Sequence, residues 1–117
     1  MKTLIDTSVW INHFNKKDLH LIALLESDDA VIHPFILGEL MCGQIPNRNQ
    51  VIHALKKIKQ LDAVTPKEFE YFINEQKIYS SGLGFVDCHL LASAMIGHCA
   101  LYTHDKTLDK FFKKTKV

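Results

Sequence analysis

The chain has 117 residues, of which 47% are hydrophobic and 23% are charged, a composition typical of a globular protein. This length allows a substantial core but excludes two independent domains, so residues 1–117 are predicted to form one domain. The formal net charge of +1 excludes a protein that attracts nucleic acid by its global charge, and leaves only local basic patches for such a role.

The opening stretch, Thr3–Trp10, is predicted to be a short buried strand that ends at Asp6 and is followed by a helix. In open α/β sheets, ligands bind at the edge formed by the carboxyl ends of the strands, so Asp6 is a candidate functional residue. Asp6, Thr7 or Ser8 would equally serve as the N-cap of the next helix. The stretch alone does not decide between these two interpretations.

Apolar residues recur at helical or strand spacing along the rest of the chain. Helices are predicted over residues 9–14, 19–25, 34–43, 51–58, 65–78, 85–97 and 105–113. Further short strands are predicted over residues 30–33, 62–64 and 100–103, with an additional edge strand at 115–117. Because short strands alternate with helices, the predicted fold is α/β, with a central, mostly parallel sheet of four to five strands flanked by helices.

Four of the thirteen acidic residues lie in apolar surroundings. Asp105 directly follows the last predicted central strand, as Asp6 follows the first. Glu39 and Asp87 lie within helices, and apolar residues three and four positions away share their helix faces. An N-cap role would explain Asp87 or Asp105 alone, and a buried salt bridge would explain Glu39. Taken together, the four are predicted to converge at one edge of the sheet.

Such a convergence predicts a metal site. Two carboxylates about 4 Å apart repel by roughly 4 kcal/mol at an effective dielectric constant near 20, so the cluster requires cations. Hard divalent ions such as Mg²⁺ or Mn²⁺ prefer oxygen ligands, and they support the hydrolysis of phosphodiesters. The hydroxyls of Thr7, Ser8 and Thr103 are candidates to orient a water or ligand, although ordinary helix capping accounts for at least one of them.

Four blocks of sequence carry a resemblance to a known family: Asp6-Thr-Ser-Val-Trp-Ile, His33-Pro-Phe-Ile-Leu-Gly-Glu39-Leu, Gly84-Phe-Val-Asp87-Cys-His-Leu-Leu-Ala-Ser-Ala and Leu101-Tyr-Thr-His-Asp105-Lys-Thr-Leu. In these blocks, and over nearly its whole length, the chain resembles the PIN-domain ribonucleases, specifically the VapC toxins of bacterial type II toxin–antitoxin pairs. The resemblance implies a three-layer PIN-like fold and a Mg²⁺- or Mn²⁺-dependent endoribonuclease that leaves 5′-phosphate and 3′-hydroxyl ends. It also implies a homodimer that is neutralised by an antitoxin whose C-terminal segment covers the groove.

The resemblance assigns the acidic quartet of the family to Asp6, Glu39, Asp87 and Asp105, as catalytic and metal-binding residues. It places Thr103 at a frequent hydroxyl position and makes Asp109 a weaker outer candidate. The chain departs from many relatives by stopping soon after the last helix, and by its basic composition. Thirteen of its fourteen basic residues are lysines, and five of them crowd the last dozen positions. These five would form either a phosphate-facing rim or a solvated face, and a solvated face is predicted for most of them.

One alternative function stays open, and a second is disfavoured. A catalytically inactive PIN-like module that acts by binding a protein partner would conserve the fold without the reaction. A zinc protein is disfavoured, because the seven histidines include no pair at i, i+4 and have no cysteine partner at finger spacing. Most histidines are predicted to be surface or packing residues, and Trp10 and the seven phenylalanines are predicted to lie in the core rather than to stack on bases.

The compartment is predicted from the cysteines and from the lack of targeting patterns. Cys42, Cys88 and Cys99 are odd in number, lack C-x-x-C spacing and are predicted to be small buried hydrophobic residues in a reducing compartment. The N-terminus shows no signal-peptide pattern. The longest stretch without Lys, Arg, Asp or Glu, residues 88–104, is too short and too polar to span a membrane. A cytoplasmic protein is predicted.

Overall fold

The computed structural model describes residues 1–115. In these residues the strands are β1 (Thr3–Ile5), β2 (Ala30–Ile32), β3 (Lys59–Gln60) and β4 (Ala100–Tyr102). The helices are α1 (Thr7–Asn15), α2 (Leu19–Glu26), α3 (Pro34–Cys42), α4 (Arg48–Leu55), α5 (Pro66–Gln76), α6 (Phe85–Ile96) and α7 (Lys106–Thr115). The strands form one parallel sheet in the order β3-β2-β1-β4, flanked by helices, which confirms the predicted fold class.

β1 lies inside the sheet because its residues are apolar and can be covered on both faces. Leu4 pairs with Val31 of β2 and with Leu101 of β4, and the side chains of Leu4 and Ile5 are fully buried. Since all strands run in the same direction, their carboxyl ends meet at one edge of the sheet. The residues that follow β1 and β4 are therefore brought together, and the backbone N–H of Asp6 donates to the Tyr102 carbonyl at 3.0 Å.

The helices begin where the sequence supplies caps. At α5 the Thr65 side chain accepts from the Glu68 backbone N–H, and Glu68 reaches back to the Thr65 N–H, which forms a capping box. At α3 the side chain of His33 caps the helix and Pro34 occupies the first turn. α6 is the most buried helix, with every residue from Cys88 to Ala94 buried, so it forms the centre of the packing around the sheet.

The predicted strand at residues 62–64 is wrong, and the predicted strand at 115–117 is wrong at Thr115 and otherwise lies outside the described residues. Residues 62–64 are not a strand; the edge strand is β3, at Lys59–Gln60, and the backbone N–H of Leu61 still donates to the Ile32 carbonyl at 2.9 Å. An edge strand pairs on one side only, so two exposed polar residues are enough to form β3. Because these residues are polar, no apolar pattern in the sequence indicates the strand. Thr115 is the last residue of α7 rather than part of a strand, and residues 116–117 lie outside the described part.

Two predictions of burial are also wrong. Cys88 and Cys99 are buried as predicted, but Cys42 is exposed, because it follows the buried stripe of α3 at the end of the helix. Phe85 was predicted to be a core residue, yet 64% of its surface is exposed. Within residues 1–115, all three cysteines are free, and every helix is too short or too polar to cross a membrane.

Candidate active site

Asp6 is the most enclosed carboxylate at the carboxyl edge of the sheet, with 8% of its surface exposed. One oxygen, Oδ1, accepts the Thr7 backbone N–H at 2.8 Å, so Asp6 is the N-cap of α1. The other oxygen, Oδ2, accepts hydroxyl hydrogen bonds from Ser8 at 3.0 Å and from Thr103 at 2.7 Å. The two interpretations of Asp6 are therefore compatible: its side chain caps a helix and also faces the edge where ligands bind in such sheets.

Asp105 lies beside Asp6, at the end of the neighbouring strand β4. Its backbone N–H donates to the Thr103 hydroxyl at 3.0 Å, and this hydroxyl in turn donates to Asp6. Its Oδ1 accepts the backbone N–H groups of Thr107 and Leu108, at 2.9 and 3.1 Å, so it caps α7. Capping occupies only one of the two oxygens, and the side chain is exposed.

Glu39 reaches the same edge from α3. Its Oε1 accepts the Thr7 hydroxyl at 2.7 Å. The prediction that Glu39 faces the core is wrong, because the buried residues of this helix are Ile36, Leu37 and Leu40, and Glu39 lies exposed at the margin of that stripe. The carboxylate therefore needs no buried salt bridge, and it remains accessible to a ligand.

Asp87 approaches from the first turn of α6. The N-cap of this helix is Gly84, so Asp87 is not a cap. Burial is the main cause that raises the pKa of the Asp87 carboxyl above its ordinary value. The charges that raise this pKa further belong to Asp6, Asp105 and Glu39, whereas the backbone of Gly84 lowers it. All four predicted acids thus lie within electrostatic reach of one another.

Within residues 1–115, the four carboxylates form no ion pair with a basic side chain. In residues 1–115 the ion pairs between side chains involve other acids, Asp18 with His104 and Asp109 with Lys113. The outer candidate Asp109 is thus held by Lys113 at 2.9 Å. Four carboxylates that share one edge without a counter-charge repel one another, which is the electrostatic condition that a divalent cation relieves.

The oxygen atoms of these side chains are of the type that binds such a cation, but the side chains do not surround a metal position. Carboxylate and hydroxyl oxygens are the ligands that Mg²⁺ and Mn²⁺ prefer. In the described part of the chain, however, no group of three His, Cys, Asp or Glu side chains is arranged to hold a metal ion as it stands. Glu39 and Asp105 are exposed, and exposed side chains change rotamer within nanoseconds, so these two carboxylates can reorient towards an ion.

A buried contact joins the two helices that carry Glu39 and Asp87. His33, which is fully buried, lies 3.1 Å from the Ser93 hydroxyl through Nε2. Its Nδ1 accepts the Phe35 backbone N–H at 3.0 Å, so Nδ1 carries no proton and Nε2–H is the donor to Ser93. Burial, and to a smaller extent the charge of His89, lowers the pKa of His33 to about 4. A neutral histidine therefore links α3 to α6.

A second network, which the sequence did not indicate, supports the loop before Asp105. The Tyr102 hydroxyl donates to Asp18 at 2.6 Å, and burial together with this partner raises the pKa of Tyr102 to about 12. The ring of His104 lies 3.6 Å from the same carboxylate, and its backbone N–H donates to the Ser8 hydroxyl at 3.2 Å.

Comparison with known proteins covers nearly the whole chain. The family profile described as PIN domain matches residues 3–114. Two curated relatives, both named Ribonuclease VapC32, come from Mycobacterium tuberculosis strains CDC 1551/Oshkosh and ATCC 25618/H37Rv. Each is 40% identical to this chain over 106 residues, which cover 90% of the chain and 86% of the relative.

Two solved structures share the fold. One is the crystal structure of VapBC2 from Rickettsia felis bound to a DNA fragment from their promoter, with a TM-score of 0.70 and 19% identity over 97% of this chain and 92% of that one. The other is PAE2754 from Pyrobaculum aerophilum, with a TM-score of 0.61 and 18% identity over 95% of this chain and 79% of that one. At these identities the likeness concerns the fold alone.

Proposed function

The chain belongs to the PIN-domain family, and from that premise we propose that it is a divalent-metal-dependent endoribonuclease, the toxin of a type II toxin–antitoxin pair. The observation that carries the proposal is the gathering of Asp6, Glu39, Asp87 and Asp105 at one edge of the sheet, from four separate elements. The matched region contains all four strands, and we treat residues 1–117 as one nuclease domain.

The proposed cofactor is Mg²⁺ or Mn²⁺, held by these four carboxylates. When bound, such an ion lowers the pKa of a water ligand and stabilises charge on a phosphodiester. The hydroxyls of Ser8 and Thr103 keep Asp6 in one orientation, whereas Glu39 accepts the Thr7 hydroxyl but stays exposed. The chain thus fixes one of the ligands by hydrogen bonds, which reduces the entropy that metal and substrate binding must overcome.

The proposed partners are an RNA substrate and an antitoxin protein. The relatives named VapC32 are ribonucleases, and the Rickettsia neighbour is a VapBC complex. We extend both features to this chain, with a homodimer as the oligomeric state and the cytoplasm, where its RNA substrates lie, as the place of action. The lysines of α7 are candidate phosphate contacts because four of them, Lys106, Lys110, Lys113 and Lys114, line one shallow depression directly after Asp105.

The test compares Asp6→Asn and Asp87→Asn with Asp28→Asn as a matched control. Asp28 carries the same chemistry but lies in the turn before β2, at the opposite edge of the sheet, and asparagine tolerates its positive φ of 61°. With Mg²⁺, the wild type and Asp28→Asn are expected to cleave RNA, and the two site variants to lose at least about a hundredfold in rate. Circular dichroism checks that each variant is folded.

Equal cleavage by wild type and by the Asp6→Asn/Asp87→Asn double variant would contradict the proposal, as would full activity in excess chelator. Expression in bacteria separates a toxin from an inactive binding module, because only a toxin arrests growth in a way that Asp6→Asn relieves. Sequencing of the new 5′-phosphate ends after brief induction then identifies the RNA target and the cleavage site.

A further inference from the structure

We propose that an exposed aromatic face beside the carboxylates binds one unpaired base of the RNA substrate by stacking. The face consists of Phe35, Phe69, Phe85 and His89. This inference rests on the proposed ribonuclease function and adds to it the state of the substrate: the nucleotide next to the cleaved phosphate must be single-stranded, since a base inside a duplex has no free surface to offer an aromatic ring.

The aromatic face is a layered cluster with one open ring. His89 forms its floor: 5% of its surface is exposed, and its ring stacks on Phe69 with 4.0 Å between centroids and 12° between planes. Phe35 and Phe85 meet the edge of His89 at 4.9 and 4.5 Å. Phe85, with 64% of its surface exposed, lies nearly parallel to Phe35, 6.3 Å away and tilted by 23°. The packed rings hold the open one in place.

The face adjoins the carboxylates through the same two helices. Phe35 and Glu39 are four residues apart in α3, and residues at this spacing are neighbours on one helix face, with Cβ atoms about 6 Å apart. Phe85 and Asp87 both lie in the first turn of α6, but residues two positions apart leave a helix in different directions. The link between the aromatic face and the carboxylates is therefore Phe35, which contacts the Phe85 ring and shares a helix face with Glu39.

The charge around the site favours a base over other occupants of this face. Without its cation the acidic edge repels phosphates, so contacts outside this edge add affinity for RNA that does not depend on the metal. The α7 lysines supply cations beyond Asp105, and the aromatic face supplies uncharged stacking surface on the side of Glu39 and Asp87.

The experiment measures binding in an Asp6→Asn background, which removes cleavage from the assay. The probes are a single-stranded oligoadenylate of about 12 nucleotides and an abasic ribose-phosphate chain of the same length. Phe85→Ala is expected to weaken oligoadenylate binding by about tenfold and to leave the abasic chain unaffected. Phe85→Trp retains a ring and should bind as the parent does, with its fluorescence quenched by oligoadenylate but not by the abasic chain.

Tyr71→Ala is the matched control. Tyr71 is as exposed as Phe85, at 69%, but it lines a groove with Met95 and Ile96, at the opposite end of α6 from Asp87. This variant should bind both probes as the parent does. A melting curve for each variant confirms that the loss in Phe85→Ala is not a loss of fold.

Two results would overturn the inference. If Phe85→Ala binds oligoadenylate as tightly as its parent, the ring does not stack on a base. If the substitution instead changes the sedimentation behaviour while oligoadenylate binding is constant, the face is a contact between protein chains. Cleavage by the wild-type protein is scored separately. Base-dependent binding without cleavage would refute the ribonuclease proposal alone, whereas cleavage with an unchanged KM in Phe85→Ala would refute the stacking alone.

Discussion

The two halves of the acidic site are held by different forces. On the side of β1 and β4, Asp6 and Asp105 are linked through the Thr103 hydroxyl, and Ser8 adds a further hydrogen bond to Asp6. On the side of α3 and α6, the exposed Glu39 accepts the Thr7 hydroxyl, and the position of Asp87 follows from the packing of α6. For Asp87 in particular, burial and the neighbouring negative charges disfavour the ionised form of the carboxyl.

The half formed by Asp6 and Asp105 is therefore preorganised, and the half formed by Glu39 and Asp87 is adjustable. Hydrogen bonds to Asp6 fix its oxygens before any ligand arrives. Glu39 is exposed and Asp87 is repelled by the other acids, so both gain most from a cation. Substitutions in the two halves should therefore differ in the size of their effect on stability and even in its sign.

The largest effect is expected from His33→Ala, which removes the link between the helices of the adjustable half. The substitution leaves a cavity and deprives the Phe35 N–H and the Ser93 hydroxyl of their partner. We expect a loss of about 4 kcal/mol in the free energy of unfolding, measured with urea at pH 7. His33→Asn can still cap α3 and should lose less. Equal stability of His33→Ala and wild type would show that packing alone holds the two helices.

The same histidine should make stability depend on pH. Its pKa is lowered to about 4 in the folded protein, below the unfolded value near 6.5, so the unfolded chain binds the extra proton in this range. Stability is therefore complete above pH 6.5 and falls as the pH drops towards 4, by about 3 kcal/mol at 1.36 kcal/mol per pKa unit. Urea unfolding of wild type and His33→Asn between pH 7 and pH 4 isolates this contribution; parallel curves would contradict it.

In the preorganised half, Thr103→Val removes the hydroxyl that bridges Asp6 and Asp105. The enclosed Asp6 carboxylate loses one of its donors, and the Asp105 N–H loses its acceptor. We expect a loss of about 1–2 kcal/mol in the free energy of unfolding, and Thr103→Ser should restore most of it. Unfolding with urea is the measurement. If the valine variant is as stable as wild type, the hydrogen bonds do not organise this half.

Asp87→Asn should have the smallest effect, with the opposite sign. In chelator, neutralising this carboxyl relieves its repulsion with the other three acids. The melting temperature is then expected to rise by about 4 °C, which corresponds to roughly 1 kcal/mol for a domain of this size. Added Mg²⁺ should raise the melting temperature of the wild type more than that of the variant. A lower melting temperature for Asp87→Asn in chelator would show that the carboxylate is stabilised by the fold.

Local sequence predicted most of the elements because their signals lie within a few residues. The apolar run of β1, the proline at the start of α3 and the Thr65–Glu68 capping box are examples. The strand-then-acid pattern likewise indicated Asp6 and Asp105 as residues of the same sheet edge. The sequence failed where the outcome depended on neighbours distant in the chain, as for the exposure of Glu39, Cys42 and Phe85, and for the two-residue strand β3.

The order of the strands and helices and the choice of the four candidate acids follow from the sequence alone, because periodicity, caps and residue chemistry are local properties. Only the tertiary structure decided how the acids are held. The Thr103–Asp6 hydrogen bond joins residues 97 positions apart, and the His33–Ser93 contact joins residues 60 positions apart. Such pairs leave no periodic trace in the sequence, since they form only when strands and helices pack, and packing selects partners by position in space.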